Sequence, residues 1–177
     1  MHKHFKDRLY VIEKGPGGVR WYTNGHFALS ENVVTAARTR KGLKYLQELP
    51  PLRAGRYFDG SWGGEDTPDV AAIMPRGELS KVRSTDLVVE ADMRARVYVT
   101  DGPAILVNPE YAALLDVACV YETETDAAGR AAIFGRLSKD GPIEILVMPI
   151  RNETGGRSGF YIEPIDDCTL RITLKAA

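Results

Sequence analysis

The chain has 177 residues, 44% of them hydrophobic and 27% charged, with a formal net charge of −1. That length holds one sizeable core or two small ones, and the near-neutral charge gives no global electrostatic pull toward nucleic acid. No apolar run is long enough to span a bilayer, the basic start Met1-His2-Lys3-His4-Phe5-Lys6 lacks a signal-peptide core, and Cys119 and Cys168 fit no metal spacing, so a cytoplasmic location with reduced thiols is expected.

In chain order, residues 9–12 read as a short strand and Gly15-Pro16-Gly17-Gly18 as a turn. Val19, Trp21 and Thr23 then alternate with Arg20 and Tyr22, the period of a half-buried strand. Asn24-Gly25 is a strong hairpin signal, because both residues tolerate positive φ, and residues 26–29 return beside the first strand. Residues 33–36 read as a further short strand. A basic helix is expected from Arg40, with Leu43, Leu46 and Leu49 near one face and Pro50-Pro51 as its stop.

Residues 56–59 form the next expected strand, residues 60–68 an irregular loop, and residues 70–75 an extended apolar segment. Residues 87–99 carry a long alternating run, with Leu87, Val89, Ala91, Met93, Ala95, Val97 and Val99 on one face; its length allows a bend or split midway. Asp101-Gly102 is a second hairpin turn, leading to a strand at 104–107. Asn108-Pro109-Glu110 starts a helix, with an N-cap, a proline at the first helical position and an acid in the first turn. Tyr111, Leu114, Leu115 and Ala118 supply its apolar stripe, and Cys119 reads as a small core residue late in that helix. Strands follow at 131–137 and 143–148, then a final hairpin at 160–165 and 169–174.

The runs Val19 to Gly25 and Arg96 to Gly102 echo each other, each ending in Thr-Asn/Asp-Gly ahead of a strand and a helix. Two such half-units, at about 1–77 and 78–151, predict an α+β arrangement with two helices on one face of a mostly antiparallel sheet.

Thr-Asn-Gly-His-Phe-Ala-Leu, from Thr23, resembles the Thr-Asp-Gly-His-Arg-Leu-Ala run of bacterial DNA polymerase III sliding clamps (beta subunit). Four more segments resemble clamp motifs in the same order: Arg40-Lys41-Gly42-Leu43; Pro68-Asp69 through Ile73-Met74-Pro75; Asn108 to Asp116 with Tyr111, Leu114 and Leu115; and Leu146-Val147-Met148-Pro149-Ile150-Arg151. The resemblance implies one clamp-like domain over residues 1–177, with residues 152–177 as an added tail hairpin. It departs from the family in being about half a protomer long and in carrying Phe27 where clamps have arginine.

The resemblance implies a non-enzymatic role in DNA replication or repair, with no cofactor. In sliding clamps three of these segments form an apolar cleft for a short linear peptide from polymerases or the clamp loader. Carried over, the cleft consists of Thr23, Gly25, His26, Pro68, Ile73, Met148, Pro149 and Ile150. Methionine supplies an adaptable wall, while His26 and Thr23 supply orienting polar groups. Taken without the resemblance, the same residues are a plain hairpin and an edge strand. Arg38, Arg40, Lys41 and Lys44 crowd one helix entry and, by the same resemblance, face duplex phosphates in an oligomeric ring; the alternative is a solvated helix face. The second helix carries only acids, Glu110 and Asp116, which fits a monomeric clamp-derived regulator that does not slide. A third reading is a small hydrolase using Asp59, Glu65, Asp66 and Asp69 around Trp62.

Overall fold

A computed structural model describes residues 8–38, 52–90, 94–100, 104–124, 132–150, 160–164 and 170–174. Its strands in chain order are β1 (Leu9–Ile12), β2 (Trp21–Thr23), β3 (Phe27–Ser30), β4 (Gly55–Phe58), β5 (Ser61–Gly64), β6 (Ser80–Lys81), β7 (Arg83–Glu90), β8 (Arg94–Val99), β9 (Ile105–Val107), β10 (Val120–Thr123), β11 (Ile133–Arg136), β12 (Ile145–Val147), β13 (Phe160–Pro164) and β14 (Leu170–Leu174). Helix α1 (Glu31–Arg38) follows β3, and helix α2 (Pro109–Leu115) follows β9.

Nine strands form one sheet in the order β5-β4-β1-β2-β3-β12-β11-β10-β6, three form β7-β8-β9, and β13 pairs with β14. Each pairing is antiparallel. The fold is therefore α+β, as expected. The pleat sends alternate residues of the large sheet to opposite faces. Tyr22, Phe27, Leu29, Ile133, Ile145 and Val147 enter the main core, where Val33 and Val34 of α1 and Ala112, Leu114 and Leu115 of α2 meet them. Trp21, Ala28, Phe134 and Leu146 face the other way into a smaller cluster, closed by Val70 and flanked by Met74, Leu79 and Met148.

Several local expectations are corrected. Residues 33–36 are helical, because Ser30 caps the segment: its hydroxyl accepts from the Val33 N–H at 3.3 Å, and Glu31 lies in the first turn. The cap outweighs the strand preference of Val33 and Val34. The expected helix beginning at Arg40 lies outside the described residues. Residues 61–64 are a strand rather than loop, since Asp59 and Gly60, at φ 45° and 81°, make the tight turn that folds β5 onto β4. Residues 70–75 are not extended throughout: a 3₁₀ turn at Ala71–Ile73 follows Asp69, whose carboxylate accepts from the Ala71 N–H at 2.9 Å.

The run at 87–99 is split into β7 and β8, which pair as a hairpin with Val88 opposite Arg96. Leu87 and Val88 are both exposed, so the expected apolar face does not extend to that end of the hairpin. Helix α2 ends at Leu115, and Cys119 is exposed beyond it, its thiol donating to the Leu137 carbonyl at 2.9 Å. Among the described residues no helix is long and apolar enough to cross a membrane.

Candidate peptide-binding cleft

The β2–β3 turn is built by two side chains that leave their own strand ends satisfied. Asn24 is 7% exposed, and its Oδ1 accepts from the N–H groups of His26 at 2.9 Å and Phe27 at 3.3 Å. The Thr23 hydroxyl donates to the Phe27 carbonyl and accepts from the Gly25 N–H at 3.1 Å. Gly25 has φ 92°, in the left-handed region that side chains disfavour. The turn thus holds His26 at the surface, with its carbonyl pointed at the neighbouring strand.

That carbonyl accepts from the Met148 N–H at 2.8 Å, which extends the β3–β12 pairing by one step. Helix α2 braces the same turn from the main-core side of the sheet. The His26 ring stacks on Tyr111 at 5.6 Å and 14°, Phe27 meets Tyr111 at 5.5 Å, and the Asn24 side-chain amide donates to the Tyr111 hydroxyl at 3.3 Å. Tyr111 occupies the first turns of a helix whose start is fixed by Asn108, whose side chain accepts from the Glu110 N–H at 2.9 Å. Beyond Met148 the chain turns toward β9, where the Ile150 N–H donates to the Leu106 carbonyl at 2.8 Å.

The structure therefore brings together Thr23, Gly25, His26, Met148, Pro149 and Ile150. Thr23 is buried, and its hydroxyl is engaged within the turn, so His26 is the one of the two polar candidates that faces solvent. Pro68 is exposed, and Ile73, at 46% exposure, projects outward from its 3₁₀ turn. Its neighbour Met74 packs on the small cluster that also carries Met148. Sequence reasoning missed Asn24 and Tyr111 as parts of this constellation. Each lies beside or within a segment that was singled out, but its long-range partner is set by the sheet order.

Arg38 ends α1, and Arg40, Lys41 and Lys44 lie outside the described residues. Two of the acids around Trp62, Asp66 and Asp69, are engaged separately. Asp66 pairs with Arg56 at 3.4 Å, Asp69 caps the 3₁₀ turn, and Trp62 lies under the Arg53 guanidinium at 3.5 Å. Among the described residues no group of His, Cys, Asp and Glu is placed to hold a metal ion. Comparisons with protein-family models, curated proteins and solved structures give no match.

Proposed function

We propose that this chain is a non-enzymatic, clamp-like binding module of DNA replication or repair, which takes a short linear peptide of the polymerase or clamp-loader type between the His26 turn and the Met148 segment. The observation that carries the reading is the 2.8 Å bond from the Met148 N–H to the His26 carbonyl, because it joins two of the segments that resemble the clamp cleft. The walls suit an apolar peptide: a half-buried methionine adapts to its shape, and an exposed imidazole orients it.

The pairing order supports the same reading. β5-β4-β1-β2-β3 is one half of the order, with α1 between its third and fourth strands in sequence. β11 pairs with β10 and β10 with β6, and β7-β8-β9 follows β6 in the chain, with α2 between β9 and β10. The two orders correspond strand for strand if β6 and β7 are one strand interrupted at Val82, whose N–H donates to the Tyr121 carbonyl at 3.0 Å. That correspondence, which leaves β12 between β3 and β11 outside both halves, supports a reading as two clamp-like half-units.

Duplex DNA binding by an oligomer, through Arg38, Arg40, Lys41 and Lys44, belongs to the same proposal. A monomeric regulator without DNA sliding is the second reading, favoured by α2, which has acidic Glu110 in its first turn and no base in its last. Fluorescence anisotropy with a labelled Gln-x-x-Leu-Phe peptide tests the cleft. Saturable binding that weakens at least tenfold in Met148→Ala is expected. Binding unchanged by that substitution, or none at high protein concentration, overturns the cleft. Sedimentation with and without duplex DNA then separates the oligomer from the monomeric regulator.

A further inference from the structure

The face of the sheet that carries the small cluster holds a second feature, at the opposite end of β3 and β12 from Met148. His26 and Met148 mark one end of that pairing, and Ser30 and Glu144 the other, where the Ser30 N–H donates to the Glu144 carbonyl at 2.9 Å. Four residue steps along a strand separate the two ends, about 13 Å. A half-open groove of about 280 Å³ lies at the Glu144 end, walled by Trp21, Met74, Pro75, Pro142 and Ile143.

Among the described residues Glu144 is the one charged residue lining this groove, and it is 6% exposed. Its Oε1 accepts from the Asn32 side-chain amide at 2.6 Å and from the Ser30 hydroxyl at 3.3 Å. Both donors are neutral. Among the described residues Glu144 forms no ion pair, and its Oε2 accepts no hydrogen bond. Glu144 is largely buried with neutral donors on one oxygen, and its second oxygen keeps access to the groove, where a cation would pair with it.

We propose that this groove binds the side chain of a lysine presented by a peptide partner, with the ammonium on Glu144 Oε2 and the aliphatic stem against Met74, Pro75 and Ile143. Lysine fits better than arginine, since one oxygen is already committed to Asn32 and Ser30. A guanidinium fork is best matched by both oxygens of a carboxylate, whereas an ammonium needs one. The proline and methionine walls suit a methylene stem, which buries its length while its charged end reaches a polar group. The site stands apart from the His26–Met148 cleft and does not depend on it.

The two sites carry different methionines, so methyl NMR of methionine-labelled protein reads them separately. The probe is Ac-Ala-Ala-Lys-Ala-Ala-NH2, compared with the same peptide carrying norleucine or arginine in the middle. The lysine peptide is expected to shift the Met74 methyl saturably at millimolar concentration and to leave the Met148 methyl in place. Norleucine should bind at least tenfold more weakly and arginine several-fold more weakly. Glu144→Gln, which keeps an oxygen for Asn32 and Ser30, should weaken lysine binding at least tenfold while the unbound methyl spectrum stays as in the parent. The norleucine comparison needs no variant, so it decides the matter even where Glu144→Gln disturbs folding. Equal binding of lysine and norleucine peptides, preference for arginine, or no saturable Met74 shift overturns the proposal. A shift at Met148 alone also overturns it and leaves the cleft reading standing.

Discussion

The backbone N–H of Met148 donates to the carbonyl oxygen of His26 at 2.8 Å, fastening the end of β12 to the turn between β2 and β3. Because the bond is main chain to main chain, Met148→Ala leaves it in place and removes only a half-buried thioether from the edge of the small cluster. The expected stability cost is about 1 kcal/mol by urea denaturation, alongside the tenfold or greater loss of peptide affinity. A cost of about 3 kcal/mol or more, the size of a core deletion, would assign Met148 to the core rather than to a binding wall.

Asn24 is the larger structural determinant of the same turn. Asn24→Ala strands the His26 and Phe27 N–H groups and removes the donor to Tyr111. Leaving buried polar groups unpaired costs about 1–3 kcal/mol, so the urea midpoint should fall accordingly with the slope unchanged. Asn24→Asp keeps the acceptor and loses the donor to Tyr111, so its stability should lie between parent and alanine variant. An aspartate variant as unstable as the alanine one would shift the weight from the two N–H groups to Tyr111.

Features written in adjacent residues were legible. Asn108-Pro109-Glu110 announced α2 through its cap, and Asn24-Gly25 announced the β2–β3 turn, because both signals act through neighbouring backbone groups. Features decided at long range were not. The expected strand at 33–36 failed because Val33 and Val34 look equally apolar in either conformation, and the choice fell to the Ser30 cap. β10 and β6 went unread, since Val120–Thr123 and Ser80–Lys81 become strands by pairing with distant partners. The length of the run at 87–99 allowed a split but its alternation did not place one, because pairing Val88 with Arg96 preserves the period. The His26 turn and the Met148 segment were each singled out in the sequence, but the stack of His26 on Tyr111 depends on where α2 crosses the sheet.

Leu114 tests whether α2 is held by the shared core. It is buried among residues that include Phe27 and Leu29 of β3, Val33 of α1, and Ile145 and Val147 of β12. Leu114→Ala removes that packing and leaves a cavity, with an expected cost of about 2–5 kcal/mol. Since Tyr111 rides on the same helix, His26 should also lose its stacking partner, seen as a shift of its ring protons by NMR. A cost under about 1 kcal/mol would mean that the surroundings collapse into the space and that α2 is held mainly elsewhere.

Tyr98 makes stability depend on alkaline pH. It is fully buried in the main core, and burial pushes its hydroxyl up to about 12, against the opposing pull of the Arg96 guanidinium. In the unfolded chain a tyrosine titrates near 10. Below that pH both states hold the proton, and the contribution to stability is fully present. Between about 10 and 12 the unfolded chain releases its proton first, so it binds fewer protons than the fold and stability falls as pH rises. Two units correspond to a loss of about 2–3 kcal/mol across that window. Tyr121 is also raised by burial and adds to the same slope. Urea midpoints of parent and Tyr98→Phe across this range check the assignment: the phenylalanine variant should fall less steeply and keep only a residual slope from Tyr121. An unchanged slope in Tyr98→Phe would place the alkaline loss on other groups.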